Sequence, residues 1–226
     1  MITLNEVTKI YPLGKGNSVT AVEGVSLEIA DGEFAVIVGR SGSGKTTLLN
    51  LAAGLTRPTA GKVMLDNTEL WTLSDRDQSR LRNRTMGFIF QFPSLLPTLT
   101  VLENVILPTS FGDDGQNGHA EQRAVGLLDQ VGLSDKLTSY PRQLSAGQQQ
   151  RVVIARALIN EPRLILADEP TSNLDEQTEG EIIEIFSELH ASLGLTFVLV
   201  THTRQLVRPE MRVIQMASGH LVPNGA

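Results

Sequence analysis

A glycine-rich segment near the start of the chain has the residue types and spacing of a phosphate-binding loop. It runs Gly39-Arg40-Ser41-Gly42-Ser43-Gly44-Lys45-Thr46 and satisfies the pattern G-x-x-x-x-G-K-[ST]. Glycines allow successive backbone N–H groups to point at phosphate oxygens, and a helix that begins at the loop adds positive potential. We therefore expect Lys45 to reach the outer phosphates of a nucleotide and the Thr46 hydroxyl to bind Mg²⁺. The alternative is a flexible glycine turn.

Two adjacent carboxylates, Asp168 and Glu169, end the apolar run Leu164–Ala167. Ligands of open α/β sheets sit at the carboxyl ends of strands, where Asp168 would hold Mg²⁺ through water and Glu169 would polarise an attacking water. On its own the pattern also fits a strand that ends in a solvated acidic turn. The glycine-rich loop upstream is what favours the chemical interpretation.

A third segment, Leu144 to Arg151, precedes the apolar helical stretch Val152–Ile159. Ser145 has the chemistry of a helix cap, and Gly147 leaves the backbone exposed, so the helix start is predicted to be a second anion-binding end. An ordinary helix cap is the simpler alternative, because a single phosphate loop does not need a second such end.

The elements that position these residues alternate between strand and helix patterns. The Asp31-Gly32 pair predicts a hairpin turn between a strand ending at Ile29 and the strand Phe34–Val38, and Gly54 is predicted to end a helix over Thr46–Ala53. Strands that alternate with helices imply a parallel sheet with helices on its faces. Further predicted strands are 2–11, 62–65, 86–90, 164–167, 197–200 and 213–216, and further predicted helices are 74–84, 101–107, 120–131 and 176–192.

Composition limits the class of protein. The chain has 226 residues, 41% of them hydrophobic, which suffices for one compact domain or for a core with a subdomain. The absence of cysteine excludes disulfides, thiolate catalysis and Cys-ligated metals, and a net charge of -6 argues against nucleic acid as a partner. The apolar runs are strand-sized, below the roughly 18 residues of a membrane span, and the N-terminus lacks a signal pattern. We expect a cytoplasmic protein whose membrane role, if any, depends on a separate subunit.

Residues 92–158 differ in character from the rest of the chain. They contain prolines at 93, 97 and 108 and helical patterns, with no convincing strand, so this range is predicted to be a helical insertion. Within it, Ser110 to Gly118 carries three glycines and two aspartates and is predicted to be a surface connector.

Taken together and in order, these segments resemble an ABC ATPase nucleotide-binding subunit. The resemblance is carried by Gly39–Thr46, Gln91, Leu144–Gln148, Asp168-Glu169, Ser172–Asp175 and His202. Phe88–Pro97 and Ser145–Arg151 resemble the MacB/LolD/FtsE-like branch. The resemblance implies an α/β fold with a P-loop NTPase (RecA-like) core, a mostly parallel sheet, an N-terminal antiparallel β subdomain and an inserted α-helical subdomain. It also implies one ABC ATPase domain over 1–226, in which 1–91 and 159–226 form the catalytic core with its β subdomain and 92–158 the helical signature subdomain.

Such subunits work as head-to-tail dimers that sandwich two ATP molecules, and this assigns roles to individual residues. Tyr11 would stack on adenine, and Ser145 and Gly147 would face the γ-phosphate held by Lys45 of the other copy. Asp175 would cross the dimer interface near the opposite phosphate loop. The implied ATP-binding residues are Tyr11, Gly39, Arg40, Ser41, Gly42, Ser43, Gly44, Lys45, Thr46, Thr47, Ser145, Ala146, Gly147, Gln148 and Asp175.

The implied reaction is hydrolysis of ATP to ADP and phosphate, with Mg²⁺ bound. Glu169 would be the base, Lys45 would offset charge on the phosphates, and His202 would contact the γ-phosphate and orient Glu169. Gln91 would contact the metal or the lytic water, so that the implied metal ligands are Thr46, Gln91 and Asp168. In three places the chain departs from the family pattern: Ala146 replaces a glycine, Thr203 an aspartate and Asn173 a small residue.

The resemblance also implies a membrane permease as partner. It would dock near Gln91 to Leu96 and the helical subdomain, where Phe92, Leu95 and Leu96 form an apolar stretch; packing inside that subdomain is the alternative. The chain would then lie on the cytoplasmic face of the inner membrane as a peripheral subunit, powering a MacB/LolD-like exporter or a lipoprotein or lipid extrusion system. An FtsE-like cell-division ATPase and a soluble, non-transport ABC ATPase are alternatives. A P-loop kinase would leave Ser145–Gln148 and His202 without a role.

Overall fold

The computed structural model describes residues 1–14, 16–112 and 119–222, which form two compact units. The first unit contains Met1–Ser79 and the chain from Thr196 onward, and the second contains Arg80–Leu195. The strands are β1 (Ile2–Gly14), β2 (Asn17–Ile29), β3 (Phe34–Val38), β4 (Ala60–Leu65), β5 (Thr68–Glu69), β6 (Met86–Ile89), β7 (Leu164–Asp168), β8 (Thr196–Thr201), β9 (Arg212–Ala217) and β10 (His220–Val222). The α-helices are α1 (Lys45–Ala52), α2 (Asp75–Thr85), α3 (Val101–Ile106), α4 (Ala120–Gln130), α5 (Ala146–Leu158) and α6 (Glu176–Leu193).

The first unit contains strands with two kinds of pairing. β1 pairs antiparallel with β2 and β4, and β4 pairs with β5, which gives the order β2-β1-β4-β5. β3 pairs parallel with β8 and β9, and β10 joins β9 antiparallel. This unit therefore contains both the antiparallel N-terminal sheet and parallel strands that the family resemblance implies.

The predicted hairpin at Asp31-Gly32 is wrong. β2 belongs to the antiparallel sheet with β1, whereas β3 pairs with β8 and β9, so the turn carries the chain from one set of strands to another. The N–H of Gly32 donates to the Thr196 hydroxyl at 2.9 Å, and because the two residues are 164 positions apart, the local sequence does not predict this contact. A turn motif determines only that the chain reverses locally. Which strands then pair depends on which side chains are buried.

Helix α1 packs against strands of both sets in the first unit, including β1 and β8. Every residue of β3 is buried, and Phe34 stacks on Phe197 of the neighbouring strand with ring centroids 4.9 Å apart. A strand that is buried along its whole length has a continuous apolar sequence, as Phe34–Val38 does. This core fixes the strand end from which the glycine-rich loop leaves.

The second unit has α5 at its centre. α5 contacts β6, α3, α4 and α6, and its residues 152–155 are all buried. β6 and β7 form a parallel pair, and no other strand occurs between residues 90 and 163 in the described part of the chain. The predicted helices at 101–107, 120–131 and 176–192 are confirmed within one or two residues.

Two further sequence predictions concern the surface and the membrane. In the predicted connector Ser110 to Gly118, Ser110 and Phe111 end a short 3-10 helix, and residues 113–118 lie outside the described residues. Within the described ranges, no helix combines the length and the hydrophobicity that a bilayer span requires.

Candidate functional site

The glycine-rich loop of the first unit connects β3 to α1, as its spacing predicted. Gly44 precedes α1 with φ 99°, and a Cβ added there would lie 2.2 Å from the carbonyl oxygen of Ala21. Only glycine satisfies both the positive φ and this close approach. The last glycine of the motif therefore sets where α1 begins.

Lys45 is held at the centre of the loop. Its side chain is buried, and its ammonium group donates to the carbonyl oxygens of Gly39 at 2.9 Å and of Arg40 at 3.2 Å. The N-cap residue of α1 contributes no side-chain bond, and the first turn contains no acidic residue. The backbone N–H groups of a helix's first turn and the helix dipole make such an end favourable for an anion. Thr46 is exposed in this first turn, and Thr47 is half-buried.

His202 comes to the same edge of the first unit as the loop. β3 and β8 are parallel, with Val38 opposite Thr201, so Gly39 and His202 both follow the carboxyl ends of adjacent strands. His202 is exposed. Taken by itself, a histidine after an apolar run carries no functional signal; the family resemblance singled out His202, and the strand pairing brings it to the same edge as the glycine-rich loop.

Tyr11 lies on β1 opposite Val19, with 36% of its surface exposed. The ammonium group of Lys9 sits 5.0 Å from the centre of the Tyr11 ring. The ring is accessible, as stacking on a base requires, and its role in binding adenine stays a prediction.

In the second unit the parallel pair β6 and β7 brings Gln91 and the two carboxylates to one edge. Ile89 lies opposite Ala167, so Gln91 comes two residues after the end of β6, while Asp168 is the last residue of the adjacent β7 and Glu169 follows it. Glu169 has φ 46°, a left-handed backbone conformation that non-glycine residues rarely adopt. Both carboxylate residues are half-buried.

The signature segment begins α5 with a reciprocal cap, which confirms the predicted capping role of Ser145. The Ser145 hydroxyl accepts from the N–H of Gln148 at 3.3 Å, and the Gln148 side chain accepts from the N–H of Ser145 at 3.0 Å. Ala146 is exposed at the helix start, and Gly147 is buried. The departure from the family pattern at Ala146 thus adds its methyl group at the surface.

Asp175 caps α6 in the same unit. Its carboxylate accepts from the N–H of Thr178 at 3.0 Å and from the Thr178 hydroxyl at 2.7 Å. The hydrogen bond from the Thr178 backbone, followed by the one from its side chain, holds the pKa of Asp175 below its ordinary value. Asp175 is exposed, so its capping bonds leave it on the surface.

The segment that follows Gln91 is held by side chains that sequence reasoning missed. Arg156 of α5 donates to the carbonyl oxygens of Pro93 at 3.0 Å and of Ser94 at 2.9 Å, and burial lowers the pKa of its guanidinium. The fully buried Asn104 exchanges hydrogen bonds with the backbone of Leu96 at 2.8 and 3.1 Å. The available signals were an arginine inside the apolar stretch 152–159 and an asparagine in the short helix α3, because polar side chains in such places usually have hydrogen-bond partners.

A cavity of about 250 Å³ in the second unit joins Gln91 to the signature segment. Its lining is mostly apolar. The buried side-chain nitrogen of Gln150 on its wall has no hydrogen-bond partner among the described residues. The other lining residues are Gln91, Phe92, Pro93, Ala146, Gln149, Pro170, Asn173 and Leu174.

Comparison with known proteins assigns this arrangement to a family. A family model described as ABC transporter matches residues 22–172, more than half of the 226 residues. The chain is 45% identical over 222 residues to the lipoprotein-releasing system ATP-binding protein LolD of Pseudomonas fluorescens, a match that covers 98% of this chain and 97% of that protein. It is 42% identical to the macrolide export ATP-binding/permease protein MacB of Syntrophobacter fumaroxidans, covering 99% of this chain and 31% of that longer protein.

A solved structure agrees with these sequence matches. The dimeric post-hydrolysis state of the ATP-binding cassette MJ0796, bound to ADP and Pi, matches with a TM-score of 0.89 and 42% sequence identity. The match covers 98% of this chain and 96% of that one. The chain therefore belongs to the ABC transporter family, as an ATP-binding subunit that hydrolyses ATP to drive transport.

Proposed function

We propose that this chain works as a head-to-tail homodimer that binds ATP and Mg²⁺ between its two copies and drives a membrane permease of the LolD or MacB type. The observation that carries the specific system is the match to LolD at 45% identity over nearly the full length of both chains. The transported substrate is then a lipid-linked or amphiphilic molecule, and the chain acts at the cytoplasmic face of the membrane.

The phosphate loop is the site for ATP. Lys45 neutralises the outer phosphates, and the backbone N–H groups of residues 39–47 contact phosphate oxygens. Support comes from the buried ammonium group of Lys45, which two carbonyl oxygens already orient inside the loop, and from the lack of a side-chain cap on α1. Tyr11 stacks on the adenine from β1.

Hydrolysis uses one water molecule per ATP. Glu169 takes a proton from the water while the water oxygen bonds to the γ-phosphorus. The bond between that phosphorus and the bridging oxygen breaks, and ADP leaves with the bridging oxygen. His202 contacts the γ-phosphate, and Gln91 orients the water. The position of Glu169 directly after the end of β7, beside the strand end that precedes Gln91, supports its assignment, since ligands of open α/β sheets sit at the carboxyl ends of strands.

Mg²⁺ fits the oxygen donors that these segments offer. Thr46, Gln91 and Asp168 would hold it, and it would supply charge neutralisation on the phosphates when bound. Within the described residues, no group of three or more His, Asp or Glu side chains is placed to hold a metal ion. Mg²⁺ is commonly held by one or two protein oxygens together with substrate phosphates, and the side chains of Thr46, Gln91 and Asp168 offer such oxygens.

The second copy completes each ATP site. Ser145, Ala146, Gly147 and Gln148 of one copy face the γ-phosphate in the other, and Asp175 lies at the same interface. The exposed start of α5 supports this proposal, as does the dimeric state of MJ0796 bound to ADP and Pi. We propose further that 1–91 and 159–226 act as the catalytic core and 92–158 as the helical signature subdomain.

The permease docks on an apolar surface made by Phe92 and Leu96. Phe92 is 64% exposed and Leu96 is 44% exposed, whereas Leu95 between them is half-buried. Exposed apolar groups on a segment that Arg156 and Asn104 hold in place are typical of an interaction surface. Because the segment begins at Gln91, docking is connected to a residue of the ATP site.

A Glu169→Gln variant tests the hydrolytic assignment. The variant keeps the shape of the side chain but cannot accept the proton, so we expect ATP to bind, hydrolysis to stop and an ATP-bound dimer to accumulate in gel filtration. Glu161→Gln is the matched control, because Glu161 is exposed and pairs only loosely with Arg123 at 3.9 Å. Hydrolysis at the wild-type rate in Glu169→Gln would refute the assignment of the base.

Purification from native membranes tests the partner. We expect a four-helix permease with a large extracytoplasmic domain to copurify with the wild-type chain, and Phe92→Asp or Leu96→Asp to abolish copurification while ATP binding persists. Leu193→Asp, at a side chain that is 56% exposed at the end of α6, is the control and should copurify normally. A many-helix importer in its place would exclude the LolD or MacB assignment.

A further inference from the structure

Thr178 contacts two segments that carry candidate site residues. It is the third residue of α6, and its hydroxyl and N–H both donate to the carboxylate of Asp175, at 2.7 and 3.0 Å. On the other segment, a Cβ added to Gly147 would lie 2.5 Å from the Thr178 Cγ2 and 3.9 Å from its hydroxyl oxygen. The methyl group of Thr178 is thus the part that meets the backbone of the signature segment.

The hydrogen bonds of Thr178 and Thr171 hold the loop between β7 and α6 in place. Hydrogen bonds to a carboxylate are among the stronger ones, so Thr178 restricts the orientation of Asp175. The loop between β7 and α6 is tied to the same helix a second time, by the Thr171 hydroxyl that donates to Glu179 at 2.6 Å. The loop that starts at Glu169 and the start of α6 are therefore linked by two side-chain contacts.

The approach at Gly147 leaves no room for a side chain. A separation of 2.5 Å is well below the contact distance of two carbon atoms, so any larger residue at 147 must displace Thr178 or the start of α5. The position of the signature backbone therefore depends on the rotamer of Thr178, which its hydrogen bond to Asp175 selects.

We propose that Thr178 is a positioning residue, whose hydroxyl fixes Asp175 and whose methyl group fixes the backbone at Gly147, so that both present one geometry to the second copy. Thr178 itself does not contact the nucleotide. The inference rests on the proposed function, in which Asp175 and Gly147 both lie at the interface with that copy.

A set of substitutions separates the two contacts. Thr178→Val keeps the methyl group and removes the hydroxyl, Thr178→Ser does the reverse, and Thr178→Ala removes both. Dimer formation with ATP is measured by gel filtration in the Glu169→Gln background, and kcat and KM are measured in the otherwise wild-type chain. The loss of one hydrogen bond is expected to weaken the dimer about fivefold in Thr178→Val. We expect a smaller effect in Thr178→Ser, which keeps the bond to Asp175, and a larger one in Thr178→Ala.

Two readouts distinguish positioning from a general loss of structure. In Thr178→Val, binding of a fluorescent ATP analogue to the monomer should stay at the wild-type value, and the thermal unfolding temperature should fall by no more than the few degrees that the loss of one hydrogen bond causes. In an Asp175→Ala background, Thr178→Val should have no further effect on dimer formation, because the hydroxyl acts through Asp175. Thr138→Val, at an exposed threonine of the same unit, is the control and should change none of these quantities.

Either of two results would overturn the inference. One is unchanged ATP-dependent dimer formation in Thr178→Val; the other is a parallel loss of dimer formation, monomer nucleotide binding and thermal stability. A failure of the proposed function has a different signature, since no ATP-dependent dimer would then form in Glu169→Gln, whichever residue stands at 178.

Discussion

Arg156 near the end of α5 donates to the carbonyl oxygen of Ser94, 62 positions earlier in the chain, at 2.9 Å. Its other terminal nitrogen donates to Pro93, so one guanidinium satisfies two successive carbonyls of the segment after Gln91. Ser94 has φ 47°, which is unfavourable for a serine and needs such support. The segment with the proposed docking surface thus takes its shape from the helix that begins with the signature residues.

We expect Arg156→Gln to lower the free energy of unfolding by about 1–3 kcal/mol, because the carbonyl oxygens of Pro93 and Ser94 lose a charged donor. The free energy of unfolding of Arg156→Lys should lie between those of the wild type and Arg156→Gln, since one ammonium group cannot reproduce the paired geometry of a guanidinium. Urea unfolding measures both. The control Arg142→Gln changes an exposed arginine and should leave the midpoint unchanged; equal effects of Arg156→Gln and Arg142→Gln would contradict the support role.

Two glycine-to-alanine substitutions should differ in outcome: one should impair dimer formation, and the other should stabilise its helix. Gly147→Ala introduces a Cβ 2.5 Å from Thr178, so we expect ATP-dependent dimer formation to fall at least about tenfold. Gly126→Ala in α4 meets nothing within 4 Å and should stabilise the helix by up to about 1 kcal/mol. Gel filtration with ATP and thermal unfolding measure the pair.

Thr178→Ser should partly rescue Gly147→Ala, because it removes the Cγ2 atom that the new methyl group meets. If the double variant is no better than Gly147→Ala alone, the defect at position 147 has a cause other than contact with Thr178.

Lys45→Met removes the ammonium group that the loop encloses. We expect ATP hydrolysis to fall about 100-fold or more, since charge neutralisation on the transferred phosphoryl group is lost. Lys62→Met is the control, because Lys62 is exposed and makes a surface ion pair with Glu69 at 3.1 Å, a kind of contact that contributes little. Similar hydrolysis by the two variants would rule out the proposed role of Lys45.

The stability of the fold should depend on pH through Glu103. Its carboxylate accepts from the N–H of Thr100 at 2.7 Å and from its hydroxyl at 2.8 Å, and these bonds lower its pKa below the ordinary 4.5. Because the pKa is lower in the folded state, this stabilisation is present above pH 4.5 and is lost as the pH falls through the folded value.

Urea midpoints of the wild type and of Glu103→Gln, measured from pH 6 down to pH 3.5, check this expectation. The midpoint of the wild type should fall more steeply than that of Glu103→Gln below about pH 4.5. Glu121→Gln, in the first turn of α4, where no side chain caps the helix, is the charge-matched control and should follow the wild type. Parallel curves for Glu103→Gln and the wild type would show that the cap does not contribute.

Several parts of the fold and the site follow from local sequence because their physics is local. Lys45 stands where a glycine-rich loop must meet a helix start, and Ser145 caps α5 because a serine three residues before Gln148 makes a reciprocal cap. The apolar run before Asp168 is a strand because continuous apolar residues are buried on both sides. The order of the motifs along the chain also indicated the ABC transporter family. The matches to the family model and to LolD confirmed this prediction.

The tertiary structure decided what depends on distant partners. Pairing of β3 with β8 brings His202 beside the glycine-rich loop, and the same pairing overturns the hairpin expected at Asp31-Gly32. Thr178 and Arg156 acquire their contacts with residues 31 and 62 positions away only when α5 is packed against α6 and the segment after Gln91. Capping and turn preferences act over three or four residues, whereas these contacts are chosen by burial and by the need to satisfy buried polar groups, which no local pattern encodes.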